Sequence, residues 1–296
     1  MPTAIDRAHL AGAPISWGVC EVPGWGPALP PERALSEMRR LGFTATELGP
    51  AGYLGADAAS IRRALDRWGL GALGGFQPLV LHDPAQRAET RRRTETAARL
   101  LQAVGARHFV TAAVADLGWS KPSPLGGAQW QALFDGVAMV DEICDRHDLI
   151  QVLHPHVGTL IESPDQVDRV LGASEVRWCL DTGHLALGGI DPLTFAVEHA
   201  DRVGLVHLKD VRLEFGPALR ARTRSLLEAT RQGVFRPLGE GDVDVRAVAE
   251  ELIRRGYDGW YVFEQDTVIS GDPASADPAS DVRRSVEHLI GSTARA

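Results

Sequence analysis

Residues 176–210 read VRWCLDTGHLALGGIDPLTFAVEHADRVGLVHLKD and contain a complete strand–helix–strand pattern. Val176–Leu180 and Val203–Leu208 are short apolar runs of the kind that form buried strands. Between them, Asp191 can cap a helix that begins at Pro192, because proline is tolerated in the first helical turn. A helix that connects two consecutive strands allows those strands to lie parallel. This stretch therefore predicts one βαβ unit.

The same alternation extends in both directions along the 296 residues. The predicted strands are Ala13–Trp17, Ala45–Leu48, Leu70–Phe76, His108–Ala113, Ile150–Leu153, Val176–Leu180, Val203–Leu208 and Gly259–Phe263. The predicted helices are Pro31–Leu41, Ala58–Trp68, Ala85–Val104, Trp130–His147, Pro164–Leu171, Pro192–His199, Val243–Arg255 and Asp281–Ile290. Eight such units predict a closed (β/α)8 barrel, an α/β fold that spans residues 1–296 as a single domain. A doubly wound sheet is the alternative, but Gly24-Trp25-Gly26 does not form the phosphate loop that usually follows its first strand.

The composition of the chain limits the kinds of binding partner and the cellular compartment that we expect. The formal net charge is −8, whereas a nucleic-acid-binding protein would favour a basic face. Residues 1–10 lack the apolar stretch of a signal peptide, and no run is long enough to span a bilayer. The three cysteines form no C-x-x-C pair, which fits a reducing compartment, and Cys179 is expected to be a buried structural thiol. We therefore expect a cytoplasmic protein without nucleic-acid or membrane partners.

Polar or aromatic side chains stand at or just after the C-terminal ends of most predicted strands. They are Trp17, Glu47, Gln77, His154, His156, Asp181, His184, His207, Lys209 and Glu264. In a (β/α)8 barrel these strand ends surround one mouth, where active sites are found. Buried charges pair with one another or bind metal ions. We therefore predict one divalent ion held by Asp181, His207, Glu264 and a histidine after the fifth strand, with Mn²⁺, Co²⁺, Mg²⁺ or Zn²⁺ compatible with mixed oxygen and nitrogen ligands.

Taken one at a time, these residues have simpler explanations. Asp181 could cap the turn that follows it, and His207 could be a hydrogen-bonded histidine of the protein interior. The metal hypothesis depends on their meeting Glu264 at one end of the barrel. Two irregular stretches, Ala115–Gln129 and Thr267–Pro278, also follow strand ends and are predicted to form walls of the site.

Several motifs give the chain a family resemblance. Cys179-Leu-Asp-Thr-Gly-His184, Val206-His-Leu-Lys-Asp210, Pro237-Leu-Gly-Glu-Gly241 and Phe263-Glu264 resemble the xylose isomerase-like barrel superfamily of sugar phosphate isomerases and epimerases. Pro14-Ile-Ser-Trp-Gly18 and His154-Pro-His-Val-Gly-Thr159 are similar, more narrowly, to inosose (2-keto-myo-inositol) dehydratases. The resemblance covers nearly the whole chain.

The resemblance implies a metal site built from Glu, Asp, His and Glu of the later strands. Asp181, His207 and Glu264 match the last three of these ligands, while the first position departs from the pattern. His154 stands where many relatives carry glutamate, and His156 and Glu162 are the next candidates for that ligand. Mn²⁺ or Co²⁺ is the expected ion. The resemblance also allows a homodimer.

The implied chemistry is the formation of an enolate from a keto-polyol. A divalent ion would polarise the carbonyl while a base removes the neighbouring proton, and loss of a β-hydroxyl would then give a dehydratase. The candidates for proton transfer are Glu47, His156, Lys209 and Glu264, and the candidates for substrate binding are Trp17, Gln77, His184 and Arg236. Trp25 could also offer an aromatic face to the sugar, or serve as a core or lid residue.

Three other functions remain open at this point. Return of the proton to another atom would give a metal-dependent sugar isomerase or epimerase, since both reactions share the enolate. A barrel endonuclease is disfavoured by the acidic net charge. A non-catalytic sugar-binding barrel is disfavoured by the presence of Asp181, His207 and Glu264 together.

Overall fold

The computed structural model describes residues 5–290 and contains a closed barrel of eight parallel strands. The barrel strands are β1 (Leu10–Gly12), β2 (Ala45–Glu47), β3 (Gly71–Leu79), β4 (His108–Ala113), β5 (Ile150–Leu153), β6 (Arg177–Asp181), β7 (Val203–Leu208) and β10 (Tyr261–Phe263). They neighbour one another in chain order, and β10 closes the ring by pairing with both β7 and β1. The predicted (β/α)8 barrel is confirmed.

Helices surround this ring and connect its strands. They are α1 (Pro31–Arg40), α2 (Ala58–Asp66), α3 (Arg87–Val104), α4 (Gly127–Arg146), α5 (Pro164–Ala173), α6 (Thr182–Gly188), α7 (Pro192–His199), α8 (Gly216–Arg220), α9 (Leu226–Arg231), α10 (Val245–Arg254) and α11 (Pro278–Ile290). Asp191 caps α7 as predicted, since its carboxylate accepts the backbone N–H groups of Leu193 and Thr194. Within residues 5–290, no helix combines the length and apolar character needed to cross a membrane.

Two apolar layers hold the barrel together. Inside the ring, one residue from each strand and Ala13, which follows β1, meet in a small cluster: Ala11, Ala13, Ala45, Leu73, Val110, Val152, Cys179, Leu205 and Val262. Outside it, the apolar faces of the helices pack on the opposite faces of the strands. The inner layer fills the barrel, so the open space lies above it, at the C-terminal ends of the strands.

The prediction for the first strand is wrong. The strand is Leu10–Gly12, and the predicted segment instead forms a 3₁₀ helix at Pro14–Trp17. Pro14 has no N–H for a strand ladder, and its ring fixes φ near the helical value. Gly18 then ends the short helix with φ +77°. The turn moves Trp17 from the end of a strand to a position behind the barrel wall.

After β7 the chain forms a short antiparallel pair, β8 (Asp210–Val211) with β9 (Phe235–Arg236). Asp210 fixes the segment that follows β9, because its carboxylate accepts four backbone N–H groups. These belong to Val211, Gly239, Gly241 and Val243, at 2.8, 2.8, 2.9 and 3.0 Å. The motif Pro237–Gly241 therefore owes its conformation to a carboxylate on the neighbouring strand.

We expect Asp210→Ala to lower the free energy of unfolding by about 3 kcal/mol or more, because a buried N–H left without an acceptor costs about 1–3 kcal/mol. Urea denaturation monitored by circular dichroism measures the change. Asp242→Ala is the matched control, since Asp242 is exposed and accepts one N–H, that of Leu213. Equal stability of the two variants would show that the four hydrogen bonds do not anchor this segment.

Candidate metal centre and active-site cavity

Five ionisable side chains meet at the C-terminal mouth of the barrel. They lie at or just after the ends of β2, β5, β6, β7 and β10 and are Glu47, His154, Asp181, His207 and Glu264. His207 is at the centre: its Nε2 is 3.1 Å from Glu47 Oε1, and its Nδ1 is 2.6 Å from Glu264 Oε2 and 3.7 Å from Asp181 Oδ2. His154 Nε2 lies 3.3 Å from Asp181 Oδ2. The strand ends therefore bring together carboxylates and imidazoles from distant parts of the chain.

The arrangement fits a divalent cation. His207 Nδ1 and Glu264 Oε2 are close, but they are not aligned as a hydrogen bond. Among the described residues, these two atoms and His154 Nδ1 are buried polar atoms that lack a hydrogen-bond partner. Ligand atoms of Glu47, His207 and Glu264 all lie within 4.8 Å of one another. Buried ligand atoms that lie close together without hydrogen-bonding one another are what metal ligands present before the ion binds.

The charges of the cluster are mutually dependent. Burial opposes a charge on His207, yet Cys179, Glu264 and Glu47 raise the pKa of its imidazole well above the ordinary value. Burial likewise opposes ionisation of Asp181, but Lys209 and His184 hold the pKa of its carboxyl well below the ordinary value. In the metal-free protein, a proton on His207 thus supplies part of the positive charge that the carboxylates require. Metal binding must displace this proton, because an imidazole coordinates in its neutral form.

Lys209 supplies the rest of that positive charge from a fully buried position. Its Nζ lies 2.7 Å from Asp266 Oδ1, 2.8 Å from Glu264 Oε1 and 3.4 Å from Asp181 Oδ2. The three carboxylates raise the pKa of the ammonium well above its ordinary value despite burial. Lys209 is therefore a permanent cation that holds two of the candidate ligands in place.

Two further histidines stack beside the cluster. The rings of His156 and His184 have centroids 3.9 Å apart, and His184 Nε2 lies 3.4 Å from Lys209 Nζ. Burial, with His154 and Lys209 nearby, lowers the pKa of His156 to about 3. The ring is therefore neutral at physiological pH. Since its Nδ1 lies 2.8 Å from the carbonyl oxygen of Val157, Nδ1 carries the proton and Nε2 is left as a hydrogen-bond acceptor.

A cavity of about 720 Å³ opens above these groups. Its lining includes Glu47, His154, His156, His207 and Glu264. The volume lies in the upper part of the range of about 300–1,000 Å³ that is usual for small-molecule sites. Acidic, basic and neutral polar groups thus face one partly open space that can hold an organic ligand.

Aromatic side chains form one wall of this cavity. Phe76 and Trp119 stack nearly parallel, with centroids 6.2 Å apart, and Phe76 packs with its edge against His154. Trp119 has φ +60°, an unusual value for a residue other than glycine. It belongs to the irregular stretch Ala115–Gln129, so the prediction that this stretch forms a wall of the site is confirmed.

The family model described as xylose isomerase-like TIM barrel matches residues 35–290. The chain belongs to this family. The inosose dehydratase of Geobacillus kaustophilus is 29% identical over 98% of this chain and 96% of its own length. The rhizopine catabolism protein MocC of Rhizobium meliloti is 33% identical over 97% of this chain and 89% of its own length. The IOLI protein, solved with a bound zinc atom, superposes with a TM-score of 0.69 over 95% of this chain and 99% of that one, at 11% identity.

Not every predicted site residue of this xylose isomerase-like barrel faces the cavity. Among the described residues, Trp17, Asp181, His184, Lys209 and Arg236 lie outside its lining. Trp17 is buried and donates from Nε1 to Glu37 at 2.7 Å, and Arg236 pairs with Glu240 at 3.2 Å. The structure therefore gives no support to substrate contacts by Trp17 or Arg236. His184 and Lys209 can act on a substrate in this cavity only through the groups they contact.

Two other predictions are wrong, as the contacts of the residues concerned show. Glu162, a candidate fourth ligand, pairs with Arg222 and accepts the N–H of Gly158 at 2.6 Å, so it does not join the cluster. The stretch Thr267–Pro278 does not line the cavity. Its backbone carbonyls instead accept hydrogen bonds from Trp25, which does line the cavity, and from Arg33.

Sequence reasoning assigned no role to three residues of this site. Asp266 contacts Lys209 and lines the cavity, and its position two residues after Glu264 was the available signal, because side chains two apart share a side of an extended segment. Phe76 and Trp119 form the aromatic wall, and only the irregular composition around Trp119 pointed to it.

Glu47, predicted as a proton-transfer residue, also lies within the candidate ligand group. Cys179 is buried as expected, but its sulfur lies within 4.8 Å of ligand atoms of His154 and His207.

Proposed function

We propose that this protein is a metal-dependent dehydratase that removes water from a keto-polyol such as 2-keto-myo-inositol. The observation that carries the proposal is the meeting of His207 Nδ1 and Glu264 Oε2, 2.6 Å apart and without hydrogen-bond alignment, at the mouth of the barrel. Inosose dehydratases that align over nearly the whole chain support the same reaction class.

His154, Asp181, His207 and Glu264 would hold the ion. Glu47 lies in one candidate ligand group with His207 and Glu264, and Asp181 contacts His154 and His207. A bound ion would supply Lewis-acid stabilisation of the negative charge that develops on a substrate carbonyl oxygen. Mixed carboxylate and imidazole donors suit Mn²⁺ or Co²⁺, and also admit Zn²⁺ or Mg²⁺. The residues that act on the substrate itself belong to the cavity wall.

Glu47 is the best placed base. This residue lines the cavity. Within residues 5–290 it forms an ion pair with His207 and none with Lys209. Its carboxylate takes the proton from the carbon beside the carbonyl and returns a proton to the β-hydroxyl, which leaves as water. The neutral His156 accepts a hydrogen bond from a substrate hydroxyl at Nε2, and Lys209 keeps Glu264 and Asp181 ionised and in position.

The reaction is tested by incubating the Mn²⁺-loaded protein with 2-keto-myo-inositol in heavy water and following the products by NMR. We expect an unsaturated or deoxy diketo product that has lost one water. A sugar isomerase or epimerase would instead give a product that keeps every oxygen, with deuterium at the exchanged carbon. Either that result or the absence of any turnover of keto-polyols would overturn the proposed dehydration.

The same assay shows whether the activity arises at this site. Glu47→Gln should lower kcat by about 10²–10⁴-fold, the usual contribution of a general base. Glu250→Gln is the matched control, because Glu250 is an exposed residue of α10. A cytoplasmic location and a homodimer stay predictions from the sequence.

A further inference from the structure

The cavity extends beyond the metal cluster. It continues over the ends of β2 and β3 into a second space between the β2–α2 loop, α2 and α3, which we call the outer lobe. The apolar side chains that line the outer lobe are Leu48, Leu54, Ile61, Ala97, Leu100 and Leu101. Four of them, Leu48, Leu54, Ile61 and Leu101, are buried in the protein core. The exposed Arg92, Arg93 and Thr96 of α3 also line the cavity on this side. The outer lobe is therefore a largely apolar extension of a polar reaction chamber.

The residues of β3 divide between the barrel mouth and the outer lobe. Phe76 faces the barrel mouth, while Gly75 and Gln77 face the outer lobe, because successive strand residues point to opposite sides. A Cβ atom on Gly75 would lie only 3.2 Å from Leu101 Cδ2 and 3.5 Å from Gln77 Nε2. A larger residue at position 75 would therefore push against Leu101 in the wall of the outer lobe.

The cavity is larger than a keto-inositol requires. Its volume of about 720 Å³ corresponds to a drug-sized ligand, whereas a keto-inositol is a single ring with one oxygen on each carbon. Such a polyol has no apolar group to place against Ile61, Leu100 and Leu101. Its binding at the cluster would leave the apolar walls of the outer lobe in contact with water, which is unfavourable.

We infer that the natural substrate is a conjugate in which a keto-polyol is joined to an apolar group, such as the keto form of an aryl glycoside, and that the apolar group occupies the outer lobe. This inference rests on the proposed function, since the polyol end must reach the metal cluster. Gln77, at the junction of the two spaces, offers an amide that can hydrogen-bond the linking oxygen.

Direct binding tests the inference without requiring turnover. Calorimetry on the Mn²⁺-loaded protein compares phenyl β-D-glucopyranoside with methyl β-D-glucopyranoside, which differ in the apolar group alone. We expect the phenyl compound to bind about tenfold more tightly or better, because the ring is removed from water. Ala97→Trp fills the outer lobe and should remove most of this preference. Ala88→Trp is the matched control, since Ala88 is an exposed residue of the same helix, and it should keep the preference.

If Ala97→Trp fails to fold, Leu100→Gln provides the second test, because a polar group on the half-buried wall should also weaken the preference for the phenyl compound. Equal affinity for the two glucosides in the unmodified protein would overturn the inference. A preference that survives both outer-lobe variants would do the same, since the ring would then bind elsewhere. These results leave the proposed dehydration intact if 2-keto-myo-inositol is turned over, whereas absence of keto-polyol turnover overturns the function itself.

Discussion

The His207→Ala variant is expected to lose its divalent ion and its turnover while retaining the barrel. Within residues 5–290, His207 is the one side chain that touches Glu47, Glu264 and Asp181 together, so its removal opens the candidate ligand group at the centre. Loss of groups that merely orient a ligand costs about 10–100-fold in metal affinity, and loss of a ligand should cost more. Elemental analysis after dialysis, together with the heavy-water assay, measures both effects.

His199→Ala provides the control for this experiment. His199 lies at the C-terminal end of α7, where its ring packs on Phe195, and its replacement should leave metal content and turnover unchanged. Circular dichroism establishes whether each variant keeps the fold. If His207→Ala binds the ion stoichiometrically and as tightly as the unmodified protein, the candidate metal centre is assigned to the wrong residues.

Lys209→Met should lower the stability of the metal-free protein by about 3–5 kcal/mol at pH 7, the usual cost of removing one partner from a buried ion pair. Methionine is similar in length but leaves Asp181, Glu264 and Asp266 without their shared cation. Urea denaturation at several pH values measures this difference in the free energy of unfolding.

The pH dependence gives this experiment a distinctive result. Lys209 helps to hold the pKa values of Asp181 and Glu264 below their ordinary values, so its stabilising effect is present above about pH 4, the range in which these groups ionise in the unfolded chain. The effect is lost as the pH falls through the lower pKa values of the folded state. The gap between the two proteins should therefore be widest near pH 7 and narrow in acid.

The chain's other lysine makes the control specific. Lys121 is exposed, and Lys121→Met should change stability by no more than about 0.5 kcal/mol at any of these pH values. A Lys209→Met variant that is as stable as the Lys121→Met variant at pH 7 would mean that the three carboxylates do not depend on Lys209.

Most of the fold was predictable because strand patterns and helix patterns alternate regularly along the sequence. The observed bounds of His108–Ala113, Ile150–Leu153 and Val203–Leu208 are those predicted, because each is a largely apolar run between clear helical patterns. The first strand was misplaced because Pro14 and Gly18 lie in a segment whose apolar residues also resemble a strand. In this segment the missing N–H of Pro14 decides the local structure, although the hydrophobic pattern of the neighbouring residues is that of a strand.

The candidate site was predictable to the extent that strand ends determine it. Asp181, His207 and Glu264 converge because the ends of parallel barrel strands form one rim. The direction of a side chain just beyond a strand depends instead on the local turn, which sequence spacing does not define. Trp17 and Arg236 were assigned to the mouth for this reason, and Phe76 and Trp119 were overlooked.

The outer lobe is built by one loop and two helices that lie outside the closed ring of strands. Substitutions there can reshape the recognition surface without disturbing strand register or the rim that carries the reactive groups. Natural selection could accordingly adapt such a lineage to new nutrients through a few exchanges at positions such as Leu54, Ala97 and Leu100, while the chemistry is inherited unchanged.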